Sequence, residues 1–435
     1  MFNCIIMGAA GRDFHNFQTF FKAHPEFRVC AFTATQIPFI DQRSYPQAMA
    51  GEHYSADIPI FDESELTRLI AELKIDFVFF AYSDLAHREV MHKAARVQAA
   101  GASFVLLGPD QTMLRSRKTV VAVTATRTGT GKSPLTQWLA RSLVDAGVRV
   151  VTVRHPMPYG KLSAQAVQRF ATLEDFDRSE CTIEEREEYE PYVRQGLVIF
   201  AGVDYAAILE AAEAEADIVL WDGGNNDFSF FKPDLSIVVS DALRAGHGLD
   251  YYPGETNFRA ADILVINKVA QAEASAIATI TALQKEYNPD ADLVLSDLEV
   301  TVDEPAQLSG KRVIIVEDGP TVTHGGMAFG AGWVAAEKYG VGEVLDPRLT
   351  AVGSIAETFA SNTHLQRVLP AMGYSDAQRQ ELKTTIESSA ADVVLNASPA
   401  NIEALLHLSL PVVQVNYQFQ AREGVNIFDR VMALL

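Results

Sequence analysis

Hydrophobic positions in this chain come in short, dense runs that alternate with amphipathic stretches. The run FNCIIMG (2–8) predicts an apolar strand closed by a glycine. A helical stretch, FHNFQTFFKAH, and a second strand, FRVCAFTAT, come after it. The pattern returns at 60–61, at DFVFFAYS (76–83), in a helix near 85–100 and at ASFVLLG (102–108). Strands alternating with helices at this spacing indicate a parallel, doubly wound sheet. The expected fold class is α/β, opening with a Rossmann-like domain over residues 1–115. The polar segment PDQTMLRSRK (109–118) reads as the linker between this domain and the next.

A second block, expected over residues 118–305, begins with the strand TVVAVTA (119–125) and the helix PLTQWLARSLVDAG. VRVVTVRH (148–155), LVIFA (197–201), ADIVLWDGG (216–224), LSIVVSD (235–241) and ADILVINKV (261–269) supply further strands. Their near-continuous apolar character predicts strands buried on both faces. The acidic stretch ATLEDFDRSECTIEEREEYE (171–190) breaks the pattern and predicts an exposed insertion over the substrate side. Beyond it, KRVIIVEDGPT (311–321), the glycine-rich HGGMAFGAG (324–332), ADVVLNASP (391–399) and PVVQVNYQF (411–419) predict a smaller C-terminal α/β region over 306–435. That region is either a third domain or an extension of the second.

Composition narrows the function classes. With 48% hydrophobic and 21% charged residues, the chain has the profile of a soluble globular protein. No apolar run reaches the roughly 18 residues that span a bilayer. MFNCIIMGAAGRDF lacks a basic n-region and reads as a buried strand rather than a signal peptide. A net charge of −20 argues against a nucleic-acid or anionic-membrane partner. Three cysteines without CxxC spacing point to reduced thiols and a cytoplasmic setting. A homodimer is the expected assembly, since two-fold pairs are the commonest oligomers.

The chemistry begins at TATRTGTGKSPLT (124–136). Strand, glycine-bearing turn and helix occur in the order a phosphate loop needs, because backbone N–H groups and a helix N-terminus must point at the anion. Thr128, Gly129, Thr130, Gly131, Lys132 and Ser133 form the expected cradle, and Thr126 stands where the motif's first glycine belongs. Lys132 would reach the β- and γ-phosphates, while Ser133 and Asp222, at the end of IVLWDGG, would hold Mg²⁺. This makes the second block a P-loop NTPase domain using ATP. In ILVINK, Asn267 is a candidate base contact; Ala270 stands where the guanine-reading aspartate of NKxD would be, which argues against strong guanine specificity.

Cations cluster after successive strands, where a doubly wound sheet binds ligands. Arg127 lies in the loop, and Arg154, His155 and Lys161 come at the end of the next strand and just beyond it. Arg244, His247 and Arg259 are strung along a later loop, and Thr321, Thr323 and His324 sit in a glycine turn. Lys132, Asp222, Arg127, Arg244 and His247 are the candidate catalytic residues; Arg154, His155, Lys161, Arg259, Thr323 and His324 are the candidate substrate contacts. Together they suit a small phosphorylated polyanion. GAAGRDFH (8–15) has Phe14 in place of the third glycine of a dinucleotide fingerprint, so no NAD is expected.

Four segments together carry a family resemblance: GAAGRDFHNF, TRTGTGKS, the block from VLWDGGNNDF to ILVINK, and VEDGPTVTHGGMAFGAG. They resemble cyclic 2,3-diphosphoglycerate synthetase and its relatives over nearly the whole chain. The resemblance implies Mg-ATP-dependent closure of a phosphoanhydride between the two phosphates of 2,3-diphosphoglycerate, with ADP and phosphate released. It assigns Lys132 and Ser133 to the loop, Asp222 to the metal, and Arg244, His247 and Arg259 to the substrate loop. Thr126 and LNASPANIEALL (395–406) depart from the family pattern. The alternatives are an ATP-dependent ligase acting on another anionic metabolite and a regulatory or chaperone-like P-loop NTPase.

Overall fold

The computed structural model describes residues 1–8, 11–35, 44–155, 165–224, 227–373 and 375–435. The expected substrate contact Lys161 lies outside the described residues. Six N-terminal strands form one sheet in the order Ser44–Tyr45, Ile58–Asp62, Phe27–Ala34, Phe2–Met7, Phe77–Phe80, Ser103–Leu106. All pair in parallel except the edge strand Ser44–Tyr45. Along Phe2–Met7, Cys4 and Ile6 pack with Phe14, Phe17 and Phe32 on one face. Ile5 and Met7 pack with Leu66, Leu69 and Val90 on the other. Burial on both faces is why this strand reads as an unbroken apolar run.

Among the described residues, a second sheet of 13 strands carries the later strands except Tyr251–Tyr252, which pairs with Leu85–Ala86. At its centre Thr119–Ala125 lies between Ile218–Asp222 and Leu235–Asp241, all parallel. Val121, Val123 and Ala125 pack on Leu135 and Leu139 of the helix Lys132–Asp145. Val120 and Ala122 pack on Ile208 and Phe230 across the sheet. Layers therefore cover both faces, and the chain is an α/β protein with a parallel-rich sheet. The C-terminal strands are hydrogen-bonded into this same sheet: Asp292–Val302 pairs antiparallel with Val412–Gly424, which leads on to Val393–Asn396 and Arg312–Glu317.

The acidic stretch differs from its expectation. It forms the helices Leu173–Arg178 and Ile183–Arg194, each opened by a threonine capping box, Thr172 with Asp175 and Thr182 with Glu185. Phe176, Tyr189 and Tyr192 are fully buried, and Phe170 stacks on Phe176 with ring centroids 4.9 Å apart. Composition is summed over all faces of a helix, whereas burial needs only one apolar stripe. The stretch is therefore a packed wall beside the phosphate loop rather than an exposed insertion.

The GRDFH segment serves as a dock. Arg12 donates to Tyr82 O at 2.5 Å and pairs with Asp227 at 3.0 Å, below the rings of Phe228 and Tyr252. His15 bonds Thr112 O at 2.7 Å and stacks on Phe230 at 3.9 Å. Burial pushes the His15 imidazole down to about 4, so it is neutral at physiological pH. Among the described residues, no helix is long and apolar enough to cross a membrane.

Candidate active site

The phosphate loop leaves the central strand at Thr126 and enters the helix at Lys132. Gly129 (φ +77°) and Gly131 (φ +102°) take left-handed backbone that other residues resist. A Cβ on Gly131 would meet Asn267 Nδ2 at 2.3 Å. Thr126 replaces a glycine without conflict, because the close approach is made from the other side: a Cβ on Gly254 would lie 2.2 Å from Thr126 O. Three side chains then brace the loop's carbonyls. Asn267 donates to Thr130 O at 2.7 Å, Lys268 to Gly129 O at 2.7 Å and Arg244 to Thr128 O at 2.8 Å. Ser296 in turn donates to Asn267 Oδ1 at 3.0 Å, so both ends of that amide are engaged within the chain.

Apart from Lys132, the described cations named for the loops after the strands have protein partners. Arg244 and Lys268 share Asp241, at 2.8 and 2.9 Å. Arg127 pairs with Asp84 at 2.7 Å, meets His247 Nδ1 at 2.8 Å and lies 3.6 Å from the centroid of Tyr251. His155 meets Asp227 at 3.1 Å, in the dock that Arg12 also uses. Arg259 is half-exposed, paired with Glu255 at 2.7 Å and stacked on Tyr287, away from the loop. Thr323 Oγ1 donates to Gly319 O, and His324 is exposed beside it. The sequence thus brings Arg127, Arg244, His247 and Asn267 to the loop as its supports, and leaves Arg259 outside.

Asp222 ends the strand beside the loop and is fully buried. Arg154 Nη1 donates to Asp222 Oδ2 and, at 2.9 Å, to Ser133 Oγ, while its Nη2 donates to Glu188. Tyr192 OH adds a 2.6 Å bond to Asp222 Oδ2. One carboxylate and one hydroxyl suit Mg²⁺, which keeps most of its waters. A cation already bridges these two groups, so the donor set fits one. Lys132 is buried, and its ammonium is pushed down to about 8 by that burial, with Arg154 adding to it against Asp222 and Asp84. The Thr128 and Thr130 hydroxyls are buried in the same loop without a hydrogen-bond partner among the described residues.

The loop opens on a cleft of about 910 Å³ whose lining includes Lys132, Ser133, Arg154, Glu187, Glu188, Lys268, Glu317 and Asp318. The turn after Arg312–Glu317 closes on the loop: a Cβ on Gly325 would lie 3.2 Å from Thr128 O, and Arg244 donates to Gly325 O at 2.6 Å. Glu317 accepts from the N–H groups of Gly330, Gly332 and Trp333 at 3.0 to 3.1 Å, yet burial pushes its carboxyl up to about 7. Asp318, with Thr321 N and Oγ1 as its donors, is also pushed up by burial. Asp84, Glu188, Tyr192 and Asp318 are site residues that the sequence pattern did not single out.

No family model matches the chain. It is 55% identical over 416 residues to a protein named arginine synthetase ArcE from Thermococcus kodakarensis, covering 96% of this chain and 93% of that one. The chain belongs to that family. Among solved structures, LpxK from Aquifex aeolicus in complex with ATP is 12% identical over 82% of this chain and 96% of its own, with a TM-score of 0.39. The hydrogenase maturation factor HypB from Archaeoglobus fulgidus is 17% identical over 41% of this chain and 81% of its own, with a TM-score of 0.28. At such low TM-scores these likenesses carry no argument.

Proposed function

We propose that the chain is a magnesium-ATP-dependent synthetase that forms arginine or a closely related guanidino compound. The observation that carries this reading is the charge of the cleft. The phosphate loop shares it with Glu317 and Asp318, which have no salt bridge among the described residues, and with Glu188, which Arg154 holds. Meanwhile Arg127, Arg154, Arg244 and Arg259 are bound to carboxylates of the chain itself. A cationic guanidinium gains charge-assisted hydrogen bonds on such a wall, whereas a bisphosphate meets like charge. The 55% identity to an arginine synthetase supports the same substrate class.

In this reading the N–H groups of 129–133 and Lys132 hold the β- and γ-phosphates, and the Thr128 and Thr130 hydroxyls are available to the same anion. Magnesium bound at Ser133 and Asp222 supplies charge neutralisation at those phosphates. Phosphate binding also gives Lys132 a counter-charge in place of the hydration it lost on burial, keeping it protonated.

The test runs the reaction from its product, so that no precursor need be known. The protein with arginine, ADP, phosphate and magnesium should form ATP, measured by a coupled luminescence assay. Cyclic 2,3-diphosphoglycerate formation, the reaction the motifs resemble, is the competing arm. It would replace the present reading if arginine yielded no ATP while phosphorus NMR showed a cyclic phosphoanhydride from Mg-ATP and 2,3-diphosphoglycerate. ATP turnover that ignores both compounds and responds to a protein partner would favour a regulatory NTPase.

A further inference from the structure

Arg154 stands at the end of the strand Val150–Arg154, directly opposite Asp222 in the sheet register. Its carbonyl is fixed by Tyr205 OH at 2.6 Å, and its side chain is only 6% exposed. One guanidinium therefore bridges the Ser133 hydroxyl, the Asp222 carboxylate and Glu188. The first two are the oxygens a phosphate loop presents to its metal. A guanidinium and a divalent cation held this close would repel each other, and both would draw on Ser133 Oγ and the Asp222 carboxylate. Asp222, at 0% exposure, also cannot stand without a positive partner, since an unpaired buried carboxylate is strongly disfavoured.

We infer that Arg154 is a place-holding cation: it occupies the metal's position between Ser133 and Asp222, and it cedes both oxygens when a magnesium nucleotide binds, keeping Glu188 as its anchor. This rests on the reading of the loop as a magnesium-nucleotide site. Asp222 then has a counter-charge in both states, so the loop keeps its shape before the nucleotide arrives. Ser133 Oγ is also held by the same guanidinium nitrogen that binds Asp222. The exchange reaches beyond the loop, because Glu188 and Tyr192 both belong to the helix Ile183–Arg194. That helix grips Arg154 through one residue and Asp222 through the other, so metal entry changes the load on both grips.

The experiment measures Mn²⁺ affinity of the full chain by EPR, with and without ADP, alongside ADP affinity by calorimetry. Arg154→Ala should bind Mn²⁺ about tenfold more tightly than the unsubstituted chain, because the competitor is gone. Its melting temperature without metal should fall, and Mn²⁺ should restore it. Glu188→Gln removes the carboxylate on which the ceded guanidinium rests and folds without burying a new charge; it should lower Mn²⁺ affinity about threefold. Unchanged or weaker Mn²⁺ binding in Arg154→Ala, or unchanged or tighter binding in Glu188→Gln, with ADP binding intact, overturns the inference alone. Failure of the unsubstituted chain to bind ADP at all overturns the nucleotide reading and the inference with it.

Discussion

Two buried carboxylates on either side of the phosphate loop have opposite fates. Burial pushes both up, but at Asp241 the attached Lys268 and Arg244 outweigh it and hold the carboxyl below its ordinary value. At Asp318 the donors are the backbone and hydroxyl of Thr321, with Arg154 and Lys132 acting only from a distance, and burial wins. Asp241 is thus a finished brace: its two cations go on to hold Thr128 O and Gly129 O. Asp318 is an unfinished pair, lining the cleft with no salt bridge among the described residues. The contrast separates a carboxylate that two cations hold from one whose donors are neutral.

Asp241→Asn should produce the largest effect. It leaves Arg244 and Lys268 buried without their anion, and about 3 kcal/mol or more of stability should be lost in urea unfolding. Asp318→Asn removes a group already disfavoured as an anion, so stability should change by no more than about 1 kcal/mol. Arginine-dependent ATP formation should instead fall by about a hundredfold in that variant. Equal stability losses in the two variants would erase the distinction between brace and ligand wall.

The pH dependence sharpens the comparison with two limbs of opposite sign. The Glu317 carboxyl is raised from 4.5 to about 7, so the folded chain binds more protons than the unfolded one in that window. Its contribution is fully present below 4.5 and is lost as pH rises to about 7. The Lys132 ammonium is lowered from 10.5 to about 8, so there the unfolded chain binds more protons, and stability should rise with pH across that window. Each limb is at most about 3 kcal/mol. Urea midpoints against pH should lose the upper limb in Lys132→Met and the lower limb in Glu317→Gln. Saturating Mg-ADP should flatten the upper limb in the unsubstituted chain, because phosphate supplies the charge partner that Lys132 lacks.

Legibility in the sequence tracked physical range. The strands Thr119–Ala125 and Ile263–Asn267 were readable because a strand buried on both faces must be apolar at every position. The loop was readable because Gly129 and Gly131 answer a local backbone demand. What each cation does was not readable. Arg127 finds Asp84 in the connection that follows Phe77–Phe80, and Arg154 finds Glu188 from a helix whose acids look like a solvated face. The i, i+3 spacing of Tyr189 and Tyr192 was the available hint that one face of that helix is inward. Asp318 lies within the turn EDGPTVTHGG, but its meaning depends on that turn folding back over Thr128, which no local pattern encodes.

The smallest expected effect tests the reading of loose surface charge. Arg259 shares with Arg244 and His247 the stretch between the strands Leu235–Asp241 and Ile263–Asn267, which is the only link the sequence offers among them. Arg259 instead belongs to the short helix Gly254–Arg259, where it meets Glu255 one turn earlier and covers the ring of Tyr287. An exposed pair of this kind contributes at most about 1 kcal/mol, since water screens the attraction and two long side chains must be ordered. Arg259→Ala should therefore leave ATP formation from arginine within about twofold and stability within about 0.5 kcal/mol. A large loss of substrate affinity without loss of stability would move Arg259 into the site and would weaken the case that the cleft's acids choose the substrate.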